Sequence, residues 1–186
     1  MSKQPVDLST VRSEYINFPA DFESVLIGTA SSDGLPDASY AAYLAQDKHY
    51  YVYVSELSKH TQNLRDTGKA SLLFIESESE CQHLFARRRV TLACEVEEVF
   101  RWCRHFDLIM DQFIGKFGQF MNVLKSFNDF HLFKITPQKG VYVRGFGQAY
   151  TFEGESLEMV KHLNDQGHRA KGKTSSSSIQ LQAPSS

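Results

Sequence analysis

The stretch from residue 25 to residue 54 alternates between apolar runs and short polar turns. Small, β-branched and aromatic residues fill the apolar runs, and the turn residues at 31–34 tolerate the left-handed backbone of a tight hairpin. This pattern predicts three antiparallel strands at residues 25–30, 38–44 and 49–54. Strands with so few charges must bury at least one face, so we expect them to curl into a small barrel.

The hydrophobic period changes along the rest of the chain and predicts further strands together with peripheral helices. Strands are expected at residues 70–75, 89–99, 130–135 and 141–150, with a turn at 136–140. Helices are expected at about 7–18, 58–66 and 155–166, and a helical pattern over 101–127 is interrupted at Gly115 and Gly118. The predicted fold is therefore mainly β with flanking α, a six- to seven-stranded antiparallel barrel at residues 1–173, followed by a flexible serine-rich tail at 174–186.

Composition narrows the class of protein. The length of 186 residues fits one domain, and a formal charge of −2 with a pI near 6.4 argues against a nucleic-acid binder, whose surface would be basic. Three cysteines without a Cys-x-x-Cys spacing indicate neither a disulfide framework nor a thiolate metal site, which favours a reducing cytoplasm. The sequence shows no signal peptide and no apolar run of membrane-spanning length, so we expect a cytoplasmic protein without a membrane partner.

Five short motifs then narrow the family. They are Thr29-Ala30 with Gly34 and Ser39-Tyr40-Ala41, Lys59-His60 through Asn63-Leu64, Leu84-Phe85-Ala86-Arg87-Arg88-Arg89-Val90-Thr91, Gly145-Phe146-Gly147-Gln148-Ala149-Tyr150, and Gly167-His168-Arg169. In this order they resemble the heme-utilisation proteins of the HutZ and HugZ type, a branch of the FMN-binding split-barrel superfamily typified by pyridoxamine phosphate oxidase. The resemblance implies a split-barrel homodimer with two ligand sites at its interface, heme in place of flavin, and degradation of heme to release iron.

The two candidate catalytic positions are His168, where the resemblance places a C-terminal histidine, and Asp129, which is a candidate by its position in the sequence. His168 follows a predicted helix end in a basic segment and is the histidine best placed to reach across a dimer interface as the heme-iron ligand. Asp129, before the sixth strand, would accept a hydrogen bond from the other nitrogen of that imidazole. The ordinary alternatives are a solvated tail histidine and a turn aspartate, and His131 is a second candidate ligand nearby.

Cationic and polar side chains would hold the rest of the ligand. A heme propionate or a phosphate needs guanidinium or ammonium groups and helix N-terminal N–H groups, and threonine in an apolar strand can face a ligand. The candidates are Lys59 and His60 in the first turn of a helix, Arg88, Arg89 and Arg144 on strands, and Thr29. Surface charge, an edge-strand cation and an ordinary strand threonine explain the same residues without a ligand.

Three functions follow from these candidates. The first is an oxygen-dependent, heme oxygenase-like enzyme of heme iron acquisition, supplied with electrons by an external donor. The second is an FMN-dependent oxidoreductase, although the predicted second and third strands lack the Arg or Lys that flavin members use for the phosphate. The third is a heme carrier that binds the same ligand without turnover.

Overall fold

The chain folds as an antiparallel β-barrel with helices on its outside. The computed structural model describes residues 7–154, 157 and 159–163. Strands β1 to β8 are Ser24–Ala30, Pro36–Gln46, His49–Ser55, Lys69–Ile75, Arg89–Val99, Phe130–Gly145, Gln148–Glu153 and Met159–His162. Helices α1 to α4 are Leu8–Asn17, Lys59–Thr67, Arg104–Phe117 and Phe120–Ser126. The predicted fold class, mainly β with flanking helices, is confirmed.

Six strands close the barrel. Their order is β3-β2-β1-β4-β5-β6, and β3 also pairs with β6. The length of β6 allows this closure, because its first residues, from Phe130 to Ile135, pair with β3 and its residues from Lys139 onward pair with β7. β7 and β8 extend the sheet beyond the closed part. The predicted split barrel therefore has six closed strands and a two-stranded extension.

The barrel interior is largely aromatic. Alternation along β1 turns Val25 and Ile27 inward and leaves Leu26 exposed. The rings of Tyr43 and Phe74 meet edge to face at 5.2 Å between centroids, and further rings fill the interior with them. A second apolar cluster lies outside the barrel, where α3 and α4 cover β3 and the start of β6.

Three predicted elements are wrong. The turn expected at 136–140 is continuous strand in β6, where Pro137, which has no N–H for the ladder, is accommodated by a register shift opposite Ala93 and Cys94. The chain instead turns at Phe146 and Gly147, so the single strand expected at 141–150 is divided between β6 and β7. The helix expected at 155–166 is strand β8 at Met159–His162, where the chain pairs with β7.

The remaining helices agree with the sequence pattern. α1 begins after Asp7, whose carboxylate accepts the Ser9 N–H at 3.0 Å. α2 begins after Ser58 and ends at Gly68, whose left-handed φ of 62° permits a tight stop. The predicted interruption near residue 118 is confirmed, while Gly115 lies inside α3. Within the described residues, no helix is long and apolar enough to cross a membrane.

Candidate functional site

A buried polar cluster lies between α2 and the ends of β1 and β2. The Asn63 side-chain amide donates to the Thr29 hydroxyl at 2.9 Å. The Nδ1 atom of His60 lies 2.7 Å from the Ser39 hydroxyl. The predicted candidates Thr29 and His60 are thus brought together, and the cluster adds Ser39 and Asn63 to them.

His60 is buried rather than displayed on the surface. Its side chain is 5% exposed, and its Nε2 atom is buried without a hydrogen-bond partner in the described part of the chain. Burial lowers the pKa of His60, against the opposing pull of the Asp37 carboxylate. The ring is therefore neutral at neutral pH, and any contact that it makes with an anion would come from a neutral N–H.

Asp129 lies in the turn that leads into β6. The Ser55 hydroxyl donates to its carboxylate at 2.9 Å, and the Glu56 N–H donates to its backbone carbonyl at 2.8 Å. This agrees with the turn alternative. The other carboxylate oxygen has no protein partner among the described residues, so it can accept a further N–H from a ligand.

His131, the second candidate iron ligand, is held by two carboxylates. Its Nδ1 and Nε2 atoms each lie 2.7 Å from a carboxylate oxygen, of Glu98 and Glu56 respectively. Arg65 of α2 pairs with Glu98 at 3.2 Å and lies 3.6 Å from Glu56. With both ring nitrogens engaged, His131 has no nitrogen available for iron in this arrangement.

Arg101, which the sequence pattern did not single out, fixes the loop that carries Asp129. Its guanidinium donates to the carbonyl of Lys125 at 2.8 Å, to the carbonyl of Phe130 at 3.0 Å and to the Tyr53 hydroxyl at 2.7 Å. It also donates to the carbonyl of Phe127. The flanking residues Phe100 and Trp102 form no recognisable motif with Arg101, so the sequence does not indicate this role.

The candidate arginines lie elsewhere, at the α1 end of the barrel. Arg88 pairs with Glu76 at 3.1 Å and lies over the Phe18 ring. Arg89 donates to the Arg87 carbonyl at 3.1 Å, and Arg144 pairs with Glu14 of α1 at 2.7 Å. A guanidinium has five N–H groups, so these contacts leave donors for a carboxylate on Arg88 and Arg89.

The structure separates the candidates into two groups within one chain. Thr29, Lys59, His60 and Asp129 lie around the N-terminus of α2, near the end of β5 where Glu98 meets His131. Arg89 lies at the other end of β5. The nine residue steps from Arg89 to Glu98 span roughly 30 Å of strand. One chain therefore does not bring the arginines and Asp129 around one porphyrin.

The outer face of β1, β2 and β4 carries an uncharged patch, which we call the outer patch. Leu26, exposed to 45%, pairs with Tyr40, exposed to 70%, and with Leu73 on its other side. Small residues continue the patch in register, because Gly28 pairs with Ala38 and Ser71. An exposed apolar area of this kind is typical of a surface that meets another protein.

His168 lies outside the described residues, as does the predicted tail at 174–186. Within the described residues, no group of three or more His, Cys, Asp or Glu is arranged to hold a metal ion. The predicted ligand role of His168 stays a prediction.

Comparisons with known proteins identify relatives over most of the chain. Residues 12–144 match the pyridoxamine 5'-phosphate oxidase family. The heme oxygenase HutZ of Vibrio cholerae is 33% identical over 160 residues, which cover 84% of this chain and 88% of that protein. The crystal structure of Campylobacter jejuni ChuZ superposes with a TM-score of 0.78 at 30% identity, over 91% of this chain and 68% of that chain.

Two further solved structures share the architecture. The crystal structure of Vibrio cholerae HutZ, described there as a heme storage protein, has a TM-score of 0.64 at 28% identity, over 68% of this chain and 89% of that chain. A heme binding protein from Mycobacterium smegmatis has a TM-score of 0.69 at 20% identity, over 84% of this chain and 61% of that chain, and shows the fold alone.

Proposed function

The chain belongs to the pyridoxamine 5'-phosphate oxidase family, and from that premise we propose that it binds heme and degrades it with dioxygen. The observation that carries the proposal is the identity of 33% to a heme oxygenase along most of both chains. The same relative is also described as a heme storage protein, so a carrier function is the second candidate.

The residues of the barrel fit heme better than FMN. The strands β2 and β3, as the structure bounds them, contain no Arg or Lys to hold a flavin phosphate. Arg88 and Arg89 keep guanidinium donors for the propionates, and Asp129 keeps a carboxylate oxygen for the imidazole of an iron ligand. We assign His168 as that ligand. Lys59, on the first turn of α2, supplies a further cation beside the cluster of Thr29 and His60.

We further propose that the heme site is shared by two copies of the chain, joined through the outer patch. A two-fold axis perpendicular to the strands reverses their direction in the second copy. Such a dimer would set the α2 end of one barrel beside the arginine end of the other. It thereby removes the separation of roughly 30 Å between Asp129 and Arg89 within one chain.

In this site the residues of the chain have distinct roles. Bound heme would supply the redox chemistry toward dioxygen, with electrons from an external donor. His168 would hold the heme iron, and Asp129 would accept the remaining imidazole N–H and so increase the electron donation of that histidine. The arginines fix the propionates and hence the ring orientation. Arg144, already paired with Glu14, would need to exchange that partner for a propionate.

Titration with hemin and with FMN, followed by visible spectroscopy, tests the proposal. Hemin is expected to give a shifted Soret band, which His168→Ala removes and the matched control His162→Ala retains. His162 is an exposed histidine of β8 in the same part of the chain. A flavin spectrum that persists after gel filtration, or a hemin spectrum unchanged in His168→Ala, would contradict the assignment. Adding ascorbate in air separates the candidates, because an enzyme loses the Soret band while a carrier retains it.

A further inference from the structure

Two large apolar side chains are exposed on the segment that leads into β5. Leu84 and Phe85 belong to a short 3-10 helix, Leu84–Ala86, and are 61% and 80% exposed. The centroid of the Phe85 ring lies 5.5 Å from that of the His83 ring. A single exposed apolar residue is ordinary, whereas adjacent large ones are typical of a surface that meets an apolar partner.

Hydrogen bonds tie this segment to the end of β4. The Nε atom of Arg87 donates to the Glu76 carbonyl at 2.8 Å. The backbone N–H and the Nε atom of Arg88 each donate to the Glu76 carboxylate at 3.1 Å, and the Glu76 N–H donates to the Arg88 carbonyl at 2.9 Å. The segment is thus closed at its base, which holds Phe85 near the start of β5.

Arg89, the first residue of β5, faces outward beside this segment. It pairs with Ile75 of β4, and its neighbour Val90 lies in the barrel core, so alternation turns Arg89 to the face that carries Leu73 of the outer patch. Its guanidinium donates to the Arg87 carbonyl at 3.1 Å and forms no ion pair with a carboxylate of the described residues. A half-buried guanidinium without an acidic partner, beside exposed apolar side chains, suits an anion with an apolar body.

The proposed function supplies such an anion. A porphyrin carries its two carboxylates on one edge, and its two faces are apolar. Arg88 and Arg89 would hold the carboxylates, but a ligand of this kind also needs apolar side chains against its faces. Phe85 lies four residues before Arg89, so their Cα atoms are at most about 14 Å apart. Resting on the proposed function, we propose that Phe85, with Leu84 beside it, covers one face of the bound porphyrin.

The second copy of the chain is the other occupant that this surface could have, because the outer patch lies on the same side of the barrel. A porphyrin fits better. The outer patch is uncharged, so it brings no carboxylate to the guanidinium of Arg89, whereas a porphyrin brings its propionates together with its apolar faces.

Transfer of hemin from the full-length protein to excess apomyoglobin measures the rate of hemin dissociation. Phe85→Ala is expected to raise this rate about tenfold, because one porphyrin face then meets water. Phe85→Leu retains most of the apolar surface and should raise it by less than about threefold. The Soret band should stay at the wild-type wavelength in both variants, since the iron ligand is unchanged. Phe120→Ala, which removes an exposed ring of α4, is the matched control and should release hemin as the wild type does.

Two results would overturn this proposal and leave the proposed function intact. One is a Phe85→Ala variant that releases hemin at the wild-type rate. The other is a Phe85→Ala variant that light scattering shows to be a monomer where the wild type is a dimer, since the ring would then contact the second copy. A wild-type protein that binds no hemin would instead overturn both proposals.

Circular dichroism identifies a variant that fails to fold. In that case Leu84→Ala decides, with an expected increase of about threefold in the dissociation rate. An unchanged rate in that variant would again overturn the proposal.

Discussion

Substitution of Arg101 tests whether its guanidinium holds the segment that carries Asp129 in place. The guanidinium joins carbonyls at the end of α4, in the turn that follows and at the start of β6 to the Tyr53 hydroxyl of β3. Asp129 lies within this segment. Replacing Arg101 with alanine removes every one of these donors at once, and replacing it with lysine retains the charge without the planar fork.

The magnitude follows from the number and type of contacts. A hydrogen bond to a charged group contributes about 1.5–3 kcal/mol, but bonds from one guanidinium are not additive, and carbonyls near the surface regain water. We therefore expect Arg101→Ala to lower the free energy of unfolding by about 3 kcal/mol and Arg101→Lys by about 2 kcal/mol. For a chain of this size the alanine variant should melt roughly 6–12 °C lower.

Urea unfolding followed by circular dichroism measures this loss. Arg104→Ala is the matched control, because Arg104 is exposed on the first turn of α3 and its side chain forms no hydrogen bond or ion pair within the described residues. Its free energy of unfolding should change by less than about 0.5 kcal/mol. If Arg101→Ala is as stable as Arg104→Ala at an unchanged urea slope, the guanidinium does not hold the segment and the reasoning is refuted.

Three further predictions concern the interior. Burial lowers the pKa of His60 below its unfolded value of 6.5, so the unfolded chain binds the proton more readily and stability should fall as the pH drops below about 6.5. In a melting series between pH 7.5 and 5, the melting temperature of His60→Gln should fall less than that of the wild type. An identical fall in both proteins would contradict this. Thr29→Val leaves the Asn63 amide without its acceptor and should lower the free energy of unfolding, measured in urea, by about 1–3 kcal/mol. A change near zero would mean that water replaces the hydroxyl. Gly140→Ala should lower the free energy of unfolding by about 1–3 kcal/mol through its clash with Tyr15, and adding Tyr15→Phe should recover part of that loss in urea unfolding. If the double variant recovers no stability, the clash lies with another residue.

Much of the barrel follows from local pattern. Alternation and turn residues locate β1 to β5 because each strand buries one face and ends at residues suited to turns. The same local pattern gives a wrong prediction at 136–140, since Thr-Pro-Gln-Lys-Gly is typical of a turn. The register shift that accommodates Pro137, and the ring of Tyr15 that requires Gly140, depend on chain segments distant in sequence.

Less of the candidate site than of the barrel can be predicted from the sequence. The motifs named Thr29 and His60, and the structure brings them together through Ser39 and Asn63. Sequence alone indicates neither the burial of His60 nor the engagement of both His131 nitrogens by carboxylates, because these depend on how α2 packs against the barrel and how β5 pairs with β6. Salt-bridge partners such as Glu14 for Arg144 are likewise set by tertiary packing.

The proposed function depends most on a heme site shared between two copies of the chain, and Tyr40→Glu tests this directly. The variant places a charge at the centre of the outer patch, with Tyr40→Phe as the matched control. Light scattering and hemin titration on the same samples should show a wild-type dimer with a shifted Soret band, and a folded monomeric Tyr40→Glu variant without it. A folded monomer that binds hemin with the wild-type spectrum and affinity would contradict the shared site.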